Sequence, residues 1–199
     1  MLNTSFMNSK ICSQNIKTFH ELSSSTRTDP NKPEIFAVQE DSKAGNISAI
    51  DLDALKDLWS QRPIKCYKGK PCSADALFCK NNRIFLVEFK TGKLKHALRK
   101  VYDSILMLIE NFHISVKQIR ENVTYIVVAS KFSPNTDCDE SISRASQLLN
   151  TIPWKDSALL HQNDINGMEL ANLDGIIVSN VYGLSPEEFD DLVTQENWA

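Results

Sequence analysis

No run of apolar residues in this sequence approaches the roughly 18–20 needed to cross a bilayer, so no membrane partner is expected. The first residues lack the basic and apolar regions of a secretory leader. The cytoplasm is the expected compartment, and the Asn-x-Ser/Thr triplets at Asn3, Asn46 and Asn122 carry no weight as glycosylation sites there. Cysteines number five, an odd count at irregular spacing, which fits reduced thiols better than a disulfide framework. Cys66, Cys72 and Cys79 are clustered, but none of their gaps is the Cys-x2-Cys knuckle of common zinc sites. Small buried hydrophobic side chains are their expected role.

One further shortage is local. Between Arg62 and Lys100 there are only two acidic residues, Asp75 and Glu88, against 11 Lys and Arg. That segment carries +9 in a chain of net charge −3, which leaves −12 for the remainder. From Pro134 onward, 12 acids accompany only Arg144 and Lys155. A concentrated basic stretch attracts a polyanion locally even in an acidic protein, whereas the acidic region is a poor surface for one.

What is present is ordinary for a globular protein: 42% hydrophobic and 24% charged residues over 199 positions. That length suits one domain with an extension. Residues 1–33, rich in Ser, Thr and Asn, read as a partly flexible N-terminal extension, with a loop over 23–33 and a short helix over Ile11–Leu22. Residues 34–199 read as a single α/β domain with its core at about 48–130 and an acidic elaboration over 134–199. Glu34–Gln39 suggests an edge strand. Ser48 is the expected N-cap of an amphipathic helix carrying Ile50, Leu52, Leu55, Leu58 and Trp59, ended by Pro63. Ile64–Lys68 reads as a short strand, Asn122–Ser130 as a buried strand, Cys138–Leu149 as a helix and Gly175–Asn180 as a further strand. Ser185-Pro-Glu-Glu188 is a capping box with proline at the first helical position.

The centre of the pattern is Ser73–Tyr102. Asn81-Asn82 marks a two-residue hairpin turn, because Asn tolerates the positive φ such turns require. If Lys80 and Arg83 flank it, Asp75 falls opposite Glu88, and like charges directly opposed destabilise a strand pair. Lys90, two residues beyond Glu88, shares its face. Ile84-Phe-Leu-Val is apolar on both faces, as in a central strand covered on both sides, and charged residues at its end are costly unless paired or bound to a cation.

After Thr91-Gly92 a helix is expected from about Leu94 to Phe112, with apolar residues at helical spacing. Its first turns hold Lys93, Lys95, His96, Arg99 and Lys100. Cations there oppose the helix dipole, so helix stability does not explain them; contacts to phosphate would. The strand at Asn122–Ser130, reached through this helix, is expected to run parallel to an earlier strand.

The order helix, strand, strand with Asp, strand with Glu-x-Lys, helix, strand resembles the αβββαβ core of the PD-(D/E)xK nuclease superfamily, over roughly residues 48–130. Glu88-Phe-Lys90-Thr-Gly resembles the matching segment of RecB-like nucleases. The resemblance implies a restriction-endonuclease-like fold, with a mixed central sheet flanked by helices, and hydrolysis of DNA with Mg2+ or Mn2+. Asp75 and Glu88, with the main-chain carbonyl of Phe89, would hold the cation, and Lys90 would orient the attacking water. Lys93, Lys95, Arg99 and Lys100 would meet the nucleic acid. A third acid from the first helix would be Asp53 or Asp57. Two departures stand out: Ala74 precedes Asp75 where many members have proline, and Leu98 stands where the RecB-like Gln-x-x-x-Tyr motif has glutamine, although Tyr102 is present.

Carboxylates suit Mg2+ on chemical grounds alone, and a neighbouring lysine can stabilise developing charge. Two other readings compete. The same fold could serve nucleic-acid binding or assembly without catalysis, or the charged cluster could be a buried ion-pair network beside a helix that mediates a homodimer.

Overall fold

The computed structural model describes residues 10–24, 35–60, 71–90, 97–129 and 170–198. Six strands form one mixed sheet in chain order: β1 (Ile16–Thr18), β2 (Ser48–Asp51), β3 (Ala76–Lys80), β4 (Arg83–Lys90), β5 (Val123–Ala129) and β6 (Asn180–Leu184). The first four are antiparallel neighbours, while β5 runs parallel to β4 and β6 parallel to β5. The described helices are α1 (Lys10–Ser13), α2 (Phe19–Leu22), α3 (Leu52–Ser60), α4 (Ala97–Phe112), α5 (Val116–Asn122) and α6 (Pro186–Gln195), with a 3-10 turn at Leu170–Leu173. The chain is thus an α/β protein with a helix-flanked mixed sheet. No described helix is long and apolar enough to cross a membrane.

Local chemistry sets the central hairpin. Asn81 and Asn82 adopt φ of 50° and 61°, and Lys80 pairs with Arg83 across them. A two-residue turn with both φ positive matches the twist of the strands it joins. From this register Ala76 lies opposite Val87 and Leu77 opposite Leu86. Alternation along β4 then feeds two cores. Ile84 and Leu86 pack with Leu55 and Trp59 of α3 and Val101, Ile105 and Leu108 of α4. Phe85, Val87 and Phe89 pack with Phe19, Phe189, Leu192 and Trp198. β5 is buried along its whole length, Thr124 included, as its mostly apolar sequence requires when helices cover both faces.

The ends of the elements depart from several sequence expectations. Ser48 does not cap a helix. It opens β2, whose Ile50 pairs with both Ile16 and Leu77, and α3 starts at Leu52. Asp51 is the cap instead, its Oδ1 accepting from the Ala54 N–H at 3.0 Å. The helical spacing holds only from Leu52, and Leu58, expected on the apolar side, is 47% exposed. A place between two strands outweighs the local helical pattern.

Ile11–Leu22 is likewise not one helix. β1 interrupts it, and Thr18 begins α2 with a capping box to Glu21. Of the strand expected over Glu34–Gln39, the described residues 35–39 form only a single bridge from Phe36 to Ser24, and the Val38 N–H is taken by the Ser23 hydroxyl at 3.1 Å. The last strand begins at Asn180, not Gly175. Gly175, at φ 67°, lies in a turn where the N–H groups of Ile176, Ile177 and Val178 all point to the Leu173 carbonyl. The Ser185 capping box with Pro186 starts α6 as expected. α5, capped by Ser115 and Gln118, was not anticipated. The strand expected at Ile64–Lys68, the helix at Cys138–Leu149 and the first turn expected before Ala97 lie outside the described residues.

Candidate functional site

Asp75 sits one residue before β3, where its backbone ties the start of α3 to β4. Its N–H donates to the Val87 carbonyl at 3.0 Å, and its carbonyl accepts from the Leu52 N–H at 3.2 Å. Continuing the Ala76–Val87 register places it opposite Glu88. One carboxylate oxygen, Oδ2, accepts from the Phe89 N–H at 2.7 Å, which aims the other, Oδ1, toward Glu88 and α4. Glu88 is fully buried at 0% exposure. It shares its strand face with Leu86, and so lies on the α4 side of the sheet.

Two ammonium groups meet this acidic pair. Lys90 Nζ forms an ion pair with Glu88 Oε1, as the shared strand face predicts. Lys100 Nζ lies 3.1 Å from Asp75 Oδ1, 2.7 Å from Glu88 Oε1 and 2.9 Å from Glu88 Oε2. Two acids and two lysines make a neutral cluster. Glu88 Oε1, although within ion-pair distance of both lysines, makes no directed hydrogen bond, and neither does the fully buried Tyr125 hydroxyl.

The electrostatics follow from burial. Loss of water, and then the facing Asp75 carboxylate, push the Glu88 carboxyl up to about 7, against the pull of Lys100 and Lys90. Asp75 is also raised, by burial, with Lys100 and the Phe89 N–H opposing. For Lys100 burial works the other way, but the two carboxylates outweigh it and hold its ammonium above the ordinary lysine range. Burial raises the Tyr125 hydroxyl as well, and the negative charge of Glu88 and Asp75 adds to it, which places this side chain within their field.

α4 does more than supply Lys100. Asp103 Oδ2 accepts from the Cys72 N–H at 2.8 Å, and Ser104 Oγ accepts from the Ala74 N–H at 2.8 Å. Residues 100, 103 and 104 are spaced as i, i+3 and i+4, so they share one helix face, and that face holds the stretch that delivers Asp75. Asp53 secures the same stretch from α3. Its Oδ1 accepts from the Ser73 hydroxyl at 2.6 Å and from Lys56 Nζ at 2.6 Å. Partial burial opposes these bonds, yet they hold the Asp53 carboxyl below the usual carboxylate range. Of the two candidate third acids, both exposed, Asp53 is the one hydrogen-bonded to the segment bearing Asp75.

The other sequence candidates are placed as follows. Lys100 turns inward to the carboxylates, with 19% of its side chain exposed. Arg99 is half exposed and ion-paired with Asp103 at 3.5 Å. Lys93 and Lys95 lie outside the described residues. Sequence reasoning missed the inward role of Lys100 and the anchoring by Asp103 and Ser104. The available signal was that spacing of polar residues, set beside the apolar stripe of Val101, Ile105 and Leu108.

As a metal site, the arrangement offers two facing carboxylates, an all-oxygen set suited to a hard divalent cation. Among the described residues, no group of three or more His, Cys, Asp and Glu converges to hold an ion. The acids are nevertheless compatible with one, because the space between them already accommodates a positive charge, the Lys100 ammonium. Comparison of the chain with protein-family models, with curated proteins and with solved structures finds no match.

Proposed function

We propose that this protein is a metal-dependent nuclease that hydrolyses phosphodiester bonds of DNA, on a core of the restriction-endonuclease-like type. The observation that carries this reading is the convergence of Asp75, Glu88 and Lys90 at one end of the β3–β4 hairpin, with Glu88 fully buried. The antiparallel β3–β4 hairpin, followed by α4 and a β5 parallel to β4, supports it as well, whereas β2 precedes α3 in the chain where the expected order has the helix first.

In this reading Asp75 and Glu88, with the Phe89 carbonyl, hold Mg2+ or Mn2+. When bound, that ion would supply polarisation of the phosphoryl group and a lowered pKa for a bound water. The Phe89 N–H fixes the orientation of Asp75. Lys90, ion-paired with Glu88 and with 18% of its side chain exposed, orients the attacking water and offsets charge on the phosphate in this reading. Arg99, together with the basic residues before α4, supplies contacts to the nucleic-acid backbone.

Labelled single- and double-stranded DNA incubated with Mg2+ or Mn2+ tests the proposal. Wild type should cut, and Asp75→Ala and Lys90→Ala should not. Equal activity of all three proteins, or none in any across these substrates, would overturn it.

A second reading keeps the fold as a binding or assembly module without catalysis. It is favoured by Lys100, which with Lys90 already neutralises the two acids. It requires DNA binding with steep salt dependence and no divalent-ion site; an ion site lost on Glu88→Ala would remove it.

A further inference from the structure

The position of Lys100 raises a question that the nuclease reading leaves open. The ammonium stands within 3.1 Å of both carboxylates, and a divalent cation taking oxygen atoms from both would need the same space. Adding such an ion to the present cluster would also leave two acids facing four positive charges in a buried setting. Two cations so placed repel strongly where water is excluded. The ammonium and the ion therefore exclude one another by space and by charge.

Nor is Lys100 needed to position the segment it touches. Asp103 and Ser104 already hold the backbone of Cys72 and Ala74, Asp53 holds Ser73, and the Phe89 N–H holds Asp75. What Lys100 alone adds is a second positive charge that cancels the like-charge repulsion of Asp75 and Glu88. With 19% of its side chain exposed, it already contacts the water into which its head group would withdraw.

We propose that Lys100 is a built-in counter-cation: it occupies the Asp75–Glu88 pair when no divalent ion is bound and withdraws when one enters. The inference rests on the nuclease reading for the existence of an ion site. It goes beyond it in assigning this chain a lysine that competes with its own cofactor, so that ion binding moves one α4 side chain outward.

Chain stripped of metal with a chelator is titrated with Mn2+ by calorimetry, as wild type, Lys100→Met and Lys100→Arg. Lys100→Met should bind Mn2+ at least roughly tenfold more tightly than wild type, as expected from removing one adjacent like charge, and Lys100→Arg should not. In chelator, Lys100→Met should melt below wild type, and Mn2+ should restore it; a merely structural lysine would give a loss that Mn2+ does not repair. In wild type, where folding is not in question, acylation of Lys100 read by mass spectrometry should rise several-fold on adding Mn2+, because the side chain becomes exposed. Equal Mn2+ affinity in wild type and Lys100→Met, or unchanged Lys100 acylation at saturating Mn2+, would overturn the counter-cation while leaving the ion site standing. No Mn2+ binding to any of the three proteins would overturn the ion site and the counter-cation together.

Discussion

Asp75 and Glu88 face one another from β3 and β4, and Lys100 Nζ bridges them at 3.1 Å from Asp75 Oδ1 and 2.7 Å from Glu88 Oε1. The repulsion expected of two opposed carboxylates is met by a cation from a helix, not by separation of the strands. Because Glu88 is fully buried, the balance of this cluster shows in measurable properties of the whole protein.

The first is pH dependence. In the fold Glu88 titrates at about 7, against an ordinary value of 4.5. Between those values the folded state holds a proton that the unfolded chain has lost, so this group's contribution to stability falls as pH rises from about 4.5 to about 7 and is flat above. The raised Asp75 acts in the same direction. Glu88→Gln cannot titrate. Urea denaturation from pH 4.5 to 7.5 should show wild type losing roughly 1–3 kcal/mol more than Glu88→Gln over that span; parallel profiles would contradict the placement of Glu88.

The second concerns the anchoring of the Asp75 segment. Ser104→Ala leaves the buried Ala74 N–H without its acceptor, a loss of about 1–3 kcal/mol. Denaturant titration measures it, and the Ala74 amide should exchange with solvent faster than in wild type.

The third tests the hairpin. Asn82 has φ of 61°, a conformation that glycine adopts freely and β-branched residues resist. Asn82→Gly should leave stability unchanged or slightly improved, while Asn82→Val should cost about 1–2 kcal/mol. Midpoints of chemical denaturation decide between these outcomes.

The fourth concerns the C-terminal end of the described chain. Trp198 packs at 4.4 Å from the Phe85 ring and 4.6 Å from the Phe78 ring, and is buried. Trp198→Ala should cost about 3–5 kcal/mol. A thermal melt of the variant within a degree or two of wild type would show that this packing contributes little.

The hairpin was legible because its determinants are local. Asn81-Asn82 selects the turn, the turn sets the pairing, and a side-chain period of two then puts Asp75 opposite Glu88 and Lys90 beside it. The Ser185 capping box and the apolar run of β5 were legible for the same reason. The expected start at Ser48 failed because the spacing of Ile50, Leu52, Leu55 and Trp59 cannot show that two strands 34 residues apart, at Ile16 and Ile50, pair with each other.

The sequence by itself determined the strand register, the isolation of two acids within a basic stretch, and the lysine that shares a face with Glu88. Only the tertiary structure decided that a second lysine, from α4, closes over that pair, and that Asp103, Ser104 and Asp53 hold the segment delivering Asp75. The reason is physical. Alternation and turn chemistry act between residues close along the chain, whereas the side of α4 that meets the sheet is set by how its apolar stripe docks on β4 and against α3. That docking turns Lys100 from a surface cation into the partner of one buried and one partly buried carboxylate.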